Sequence, residues 1–117
     1  MPVRRGEIFW FDFGTPMGSV QGGKRLALVI QNDSGNFSSP TTIIAAITSK
    51  EKNSYPFHVQ ITAQESGLKL DGTVLLEQIL TVNKNRLTEK AGQLFSFKMK
   101  EIDDALKVSL GIRDSSP

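Results

Sequence analysis

The chain has no cysteine, and it has only one histidine, one tryptophan and one tyrosine. The absence of cysteine excludes disulfides, zinc–thiolate sites and thiol nucleophiles. A single histidine, His58, excludes catalysis by a histidine pair. No apolar run approaches the roughly 18 residues of a membrane-spanning helix, and the N-terminus lacks the charged and apolar segments of a secretory signal. We therefore expect a soluble, cytoplasmic protein with no membrane partner.

Length and charge indicate one globular domain with a modest basic bias. The chain has 117 residues, of which 22% are charged and 38% hydrophobic. We expect one domain over residues 1–112 and a flexible tail over 113–117. The net charge of +2 is too small to require a nucleic-acid partner by itself. The cations are nevertheless placed close to a loop that could hold a polyanion: Arg4, Arg5, Lys24 and Arg25, with Lys50 and Lys52 further along.

Apolar runs of strand length alternate with turn residues along most of the chain. The predicted strands are Glu7–Phe13, Leu26–Asn32, Thr42–Ser49, Phe57–Thr62 and Gly72–Val82. Apolar residues then recur every three or four positions, which predicts a helix over Phe97–Leu110 with Ser96 as N-cap and Gly111 as its C-terminal glycine. The fold class expected is mainly β with α: a small antiparallel barrel with a C-terminal helix. Exposed sheet edges favour a homodimer.

The segment Gly18–Asn36 is a glycine-rich loop that leads into an apolar strand. Its glycines allow a tight backbone with positive φ, and it presents Lys24-Arg25 and free backbone N–H groups at the start of the strand. Such an arrangement suits a phosphate ligand. A surface hairpin with one solvated arginine is the alternative.

The remaining polar residues leave structural and functional roles open. Glu77 and Gln78 interrupt an apolar strand, so they either face solvent or serve a site. Thr48 ends a predicted strand, as part of a turn or of a site. His58 is expected to be an exposed strand residue and Trp10 a core residue, whereas Asp33–Asn36 has the composition of a turn.

Several blocks, in order along the chain, resemble the MazF/PemK family of toxin endoribonucleases. They are Arg4–Ile8, Gly18–Asn36, Ser39–Thr41 with Ile43–Ser49, Pro56–Val59, Leu75–Ile79, Asn83–Leu87 and Asp103–Gly111. The resemblance implies a dimeric SH3-like barrel that cuts single-stranded mRNA without metal or cofactor. It implies 2′,3′-cyclic phosphate and 5′-hydroxyl ends, a MazE/PemI-like antitoxin as partner, growth arrest as outcome, and DNA binding by the toxin–antitoxin complex.

The same resemblance implies the residues of the site. Arg25 and Thr48 match the catalytic pair of the family, and the matching RNA-binding positions are Arg5, Ser19, Gln21, Lys24, Asn32, Glu77, Gln78 and Arg86. Arginine suits stabilisation of phosphoryl charge, but it is too basic to be a general base, and no other base is evident. Two departures from the family are Val20, where a glutamate is common, and Leu26, where proline is usual. Alternatives are a relative that binds RNA without cleaving it, or a gyrase poison of the CcdB type.

Overall fold

The computed structural model describes residues 2–49 and 55–113. Within these ranges one antiparallel sheet contains the strands β1 Glu7–Asp12, β2 Lys24–Val29, β3 Thr41–Thr48, β4 His58–Ile61, β5 Gly72–Asn83 and β6 Lys90–Gln93. The helices are α1 Asp33–Ser38, α2 Ala63–Ser66 and α3 Ser96–Leu110, and a 3₁₀ turn spans Lys84–Arg86. The strand order is β4-β5-β3-β2-β1-β6, a curled half-barrel with a C-terminal helix, which confirms the expected fold class. The predictions for Lys50, Lys52 and residues 114–117 lie outside the described residues.

The sheet buries side chains on both of its faces, because successive residues of a strand point to opposite sides. One face packs against α3; its buried side chains include Ile8, Leu28, Ile47 and Val74, and α3 contributes Ile102 to the same cluster. The other face forms a second cluster from Val3, Phe9, Phe11, Ala27, Val29, Ile44, Val82 and Leu87. We call these the helix-side core and the strand-side core. The two cores fix which side chains of each strand remain available for a site.

Helix α3 covers the helix-side core with one face, and its predicted ends are only partly right. Met99, Ile102 and Ala105 are buried, whereas Leu110 is 52% exposed and does not join the core as its spacing predicts. Gly111 ends the helix in the left-handed conformation with φ +71°, as expected. The N-cap is Phe95 without a side-chain hydrogen bond, so the prediction of Ser96 as N-cap is wrong.

Strand β5 carries a three-residue interruption in its pairing with β3. Ala45 lies opposite Ile79, but the next residue, Ala46, lies opposite Leu75. The intervening residues 76–78 therefore have no partner on β3. Extra residues of this kind bend a strand and redirect its side chains, and they are common beside active sites. The polar pair Glu77 and Gln78, whose role the sequence does not decide, lies within this interruption.

Two segments expected to be turns or connections are short helices. Helix α1 begins after Asn32, whose Oδ1 accepts a hydrogen bond from the N–H of Gly35 at 2.8 Å. Helix α2 begins with a capping box between Thr62 and Glu65. None of the described helices is long and apolar enough to cross a membrane.

Candidate active site

The loop over residues 13–23, between β1 and β2, is closed at its base by backbone hydrogen bonds. Phe13 N–H donates to the Gly23 carbonyl at 2.9 Å, and Gly23 N–H donates to the Gly14 carbonyl at 2.6 Å. Gly23 has φ +77°, as the glycine-rich composition predicts. A Cβ on Gly22 would lie 2.6 Å from the Cα of Pro16, so only glycine fits there. The loop is a packed structure that ends directly at β2.

Arg25 and Thr48 line one cleft of about 570 Å³. Ala27 of β2 lies opposite Ala46 of β3, and Arg25 and Thr48 each lie two residues further along their strands in the same direction. Arg25 Nε donates to the Gly22 carbonyl at 2.7 Å, which is the one hydrogen bond of this guanidinium in the described part of the chain. Thr48 is 2% exposed. The structure thus brings together a half-buried guanidinium, tied to the loop, and a buried threonine.

The charge of the cleft lining favours an anionic ligand. Four basic side chains line it, against two acidic ones: Lys24, Arg25, Lys69 and Lys90, against Asp71 and Glu89. The apolar part of the wall includes Trp10, which is 36% exposed, so the expectation of a core tryptophan is wrong. Strand alternation directs Trp10 to the same face as the buried Ile8, but its ring lines the cleft and does not join the helix-side core. Sequence reasoning missed Trp10 as a site residue, because only the strand pairing shows that it lies across from Leu26.

Gln78 joins the interrupted part of β5 to the β1–β2 loop. Its Oε1 accepts from the N–H of Gln21 at 3.3 Å, and its Nε2 donates to the Ser19 carbonyl at 3.2 Å. The loop then continues to Gly22, the acceptor of Arg25. Four of the predicted site residues, Arg25, Ser19, Gln21 and Gln78, are therefore linked by contacts.

Glu77 and His58 form a pair beside this network. His58 Nε2 lies 2.9 Å and 3.1 Å from the two carboxylate oxygens of Glu77. The His58 side chain is only 5% exposed, and the carboxylate end is open, with Glu77 37% exposed. The prediction of His58 as an exposed strand residue is wrong, because the adjacent aromatic rings of Tyr55 and Phe57 enclose the imidazole.

Three of the other predicted RNA-binding residues lie outside the cleft and contact other groups, and one lies at the cleft. Arg5 Nε donates to the Ile30 carbonyl at 2.8 Å, and its Nη2 pairs with Asp103 at 2.6 Å. Asn32 caps α1 at the same end of the sheet, opposite to the end that holds Arg25. Arg86 lies over the ring of Phe11, with 4.7 Å from Cζ to the ring centroid. Lys24 is exposed at the cleft.

The carboxyl groups of Asp33 and Glu65 have lowered pKa values. A hydrogen bond from the backbone N–H of Arg5 is the largest cause that holds the pKa of Asp33 below its ordinary value. Burial raises the pKa of Glu65, but the Thr62 N–H and Lys98 outweigh it, and the net shift is downward. Neither group lines the cleft. Among the described residues no three histidine, aspartate or glutamate side chains come together as a possible metal site.

Comparison with known proteins gives a consistent match over nearly the whole chain. Residues 4–110 match the family of PemK-like, MazF-like toxins of type II toxin–antitoxin systems. The chain is 47% identical over 115 residues to Endoribonuclease EndoA of Bacillus subtilis (strain 168), with 97% of this chain and 99% of that protein covered. It is similar to the crystal structure of MazF from Deinococcus radiodurans, with a TM-score of 0.78, 26% identity and coverage of 95% and 98% of the two chains. A MazE–MazF structure from the same organism gives a TM-score of 0.74 at 26% identity, over 97% of this chain and all of that one.

Proposed function

This chain belongs to the PemK-like, MazF-like toxins of type II toxin–antitoxin systems, and we propose that, as an endoribonuclease of that family, it cleaves single-stranded mRNA at selected sequences without a metal ion. The observation that carries the proposal is the cleft that holds both Arg25 and Thr48. Its excess of basic side chains suits a phosphodiester backbone. The half-buried guanidinium suits the charge that develops on a phosphoryl group.

In the proposed reaction the 2′-hydroxyl of one nucleotide attacks the adjacent phosphorus in line with the 5′-oxygen. The 2′-oxygen–phosphorus bond forms, the bond to the 5′-oxygen breaks, and the proton of the 2′-hydroxyl is lost while the 5′-oxygen gains one. The products are a 2′,3′-cyclic phosphate and a 5′-hydroxyl. Arg25 binds the phosphoryl oxygens and remains charged throughout, because a guanidinium is not deprotonated in proteins near neutral pH. Thr48 donates a hydrogen bond to a phosphoryl oxygen or orients the 2′-hydroxyl.

The hydrogen bond from Arg25 Nε to Gly22 supports this assignment of roles. It uses one edge of the guanidinium for the loop and leaves the two terminal nitrogens to face the ligand as a fork. A group held in this way needs little reorganisation when the transition state forms. The β1–β2 loop and the polar pair of β5 are proposed to contact bases and so to select the cleavage sequence.

Partners and departures from the family pattern belong to the same proposal. A MazE-like antitoxin and a homodimeric state are proposed on the basis of family membership, together with DNA binding by the toxin–antitoxin complex and a cytoplasmic location. Val20 is 59% exposed at the loop tip, so a carboxylate there would face solvent and RNA, and its absence removes one repulsive charge. Leu26 packs against the helix-side core, where its side chain takes the place of the rigid ring of proline.

Cleavage of a long RNA in the presence of EDTA tests the proposal. The parent protein should cut at a few sites and leave cyclic phosphate ends, whereas Arg25→Ala should reduce the rate by about 10²–10³. Lys100→Ala is a matched control, since it removes one exposed positive charge from α3 at a residue that does not line the cleft. Cleavage that requires a divalent ion, or that is unchanged in Arg25→Ala, would overturn the catalytic assignment. Binding without any cleavage would favour the non-catalytic alternative.

A further inference from the structure

The buried His58 is a polar group whose position the core does not explain. Its side chain is 5% exposed, and its Nδ1 is buried with no hydrogen-bond partner in the described part of the chain. Burying a polar nitrogen without a partner is unfavourable. A phenylalanine would fill the same space, beside the stacked rings of Tyr55 and Phe57, without that cost. The contact made by its other ring nitrogen, Nε2, therefore best explains why a histidine occupies this position.

That other nitrogen, Nε2, holds the carboxylate of Glu77. An ionised carboxylate only accepts hydrogen bonds, so Nε2 carries the proton that it donates. The rings of Tyr55 and Phe57 stand almost perpendicular to the imidazole, at 86°, with centroids 5.2 Å and 4.9 Å away. Contact with these two stacked rings fixes the imidazole and, through it, the direction of the carboxylate. A charged acceptor is thereby held rigidly at the protein surface.

The carboxylate belongs to the same part of β5 that contacts the loop leading to Arg25. Glu77 lies in the interrupted part of β5, where residues have no partner on β3. The neighbouring Gln78 contacts Ser19 and Gln21 of the loop. Helix α3 also stabilises the interruption, because Ser109 Oγ donates to the Leu76 carbonyl at 2.7 Å. A negative group repels phosphates, so its use beside an RNA groove is to accept hydrogen bonds from the N–H groups of a base.

We propose that His58 is a positioning residue which orients Glu77 as an acceptor for the Watson–Crick edge of one RNA base, and so sets sequence preference at one position of the substrate. The inference rests on the proposed function and adds to it the device that selects a base. A fixed carboxylate favours a base whose edge presents N–H donors and disfavours one that presents acceptors there. His58 does not contact the RNA in this account, and it acts only through Glu77.

The experiment compares RNA oligonucleotides that differ by one base at each position around the mapped cleavage site. For the parent, kcat/KM should differ by about tenfold or more among the four bases at one position. His58→Phe should reduce that ratio to about threefold or less, with kcat on the best substrate changed less than about threefold. His58→Gln, unlike His58→Phe, should keep most of the parent's ratio, because the glutamine amide nitrogen can take the place of Nε2. Glu77→Gln should lose the ratio too, and His58→Phe added to it should have no further effect.

Two controls separate this role from a structural one. His58→Phe should keep the melting temperature of the parent or raise it, because the unpartnered nitrogen disappears. Gln60→Ala removes a second polar pair between β4 and β5, in which Thr73 Oγ1 donates to Gln60 at 3.1 Å, and it should leave the base ratio unchanged.

The same oligonucleotides with 2′-O-methyl groups test base preference by binding alone, so the inference is tested even if cleavage fails. Cleavage that depends on Arg25, with an unchanged base ratio in His58→Phe, would overturn the positioning role and leave the proposed function standing. Absence of cleavage by the parent would overturn the proposed function, and the binding ratios would then decide the role of His58. A parent that binds no RNA would overturn both.

Discussion

Replacement of Arg25 by lysine separates the positive charge of this residue from its geometry. Lysine keeps the charge, but it lacks both the Nε–H that donates to Gly22 at 2.7 Å and the planar fork that binds two oxygens. Loss of one oriented donor at a phosphoryl group reduces rates by about 10²–10³. Loss of the hydrogen bond to Gly22 should reduce the free energy of unfolding by only about 0.5–1.5 kcal/mol. We therefore expect a large loss of kcat in a protein that remains folded.

A fluorogenic RNA that contains one mapped cleavage site, measured with saturating enzyme and EDTA, gives the rate of the chemical step. Anisotropy with a 2′-O-methyl analogue gives the affinity, which should change less than about threefold because the charge remains. The melting temperature should fall by no more than about 6 °C. A rate within fivefold of the parent would refute the reasoning, since charge alone would then suffice. The reasoning would also be refuted if a ligand that stabilises the folded protein restored the lost rate, because the loss would then come from unfolding.

Two further predictions concern the loop and the N-terminal contacts. Gly22→Ala should displace the loop from Pro16, reduce cleavage, and lower the free energy of unfolding by about 1–3 kcal/mol. A variant with the melting temperature and the activity of the parent would contradict the close packing. The lowered pKa of Asp33 means that its bond from the Arg5 N–H stabilises the fold fully above about pH 4, the range of the unfolded carboxyl, and that this stability is lost as pH falls through the lower folded-state pKa. The difference in melting temperature between the parent and Asp33→Asn should therefore be constant at pH 5–7 and shrink towards pH 3, and a difference independent of pH would contradict it.

Regular elements were predictable wherever the apolar spacing was strong. Five strands and α3 follow from periodicity, because each must bury one or both faces. β6, Lys90–Gln93, was missed since its sequence KAGQ has almost no apolar pattern, and it pairs with β1 only through tertiary contact. The helices α1 and α2 were missed because they span only six and four residues and begin with capping residues that also form turns.

The candidate site was predictable only in part. Arg25 stands at the end of a glycine-rich loop, so its position at the junction of loop and strand could be expected from local sequence. The link between Gln78 and that loop depends on the three-residue interruption in β5, which no local pattern indicates. His58 has the alternation of a half-exposed strand, but it is buried because Tyr55 and Phe57 fold over it. Burial by neighbours that are not part of a strand leaves no periodic signal.

The most direct test of the central claim uses one RNA oligonucleotide with a single 2′-deoxy nucleotide on the 5′ side of the mapped scissile phosphate. Attack by the 2′-hydroxyl requires that oxygen, so this substrate should bind as well as the all-ribose RNA and should not be cut. The all-ribose RNA should be cut in EDTA to give a cyclic phosphate end, and Arg25→Ala should cut it about 10²–10³ more slowly. Cleavage of the 2′-deoxy substrate at the same bond would contradict the account, because water or another nucleophile would then attack the phosphorus.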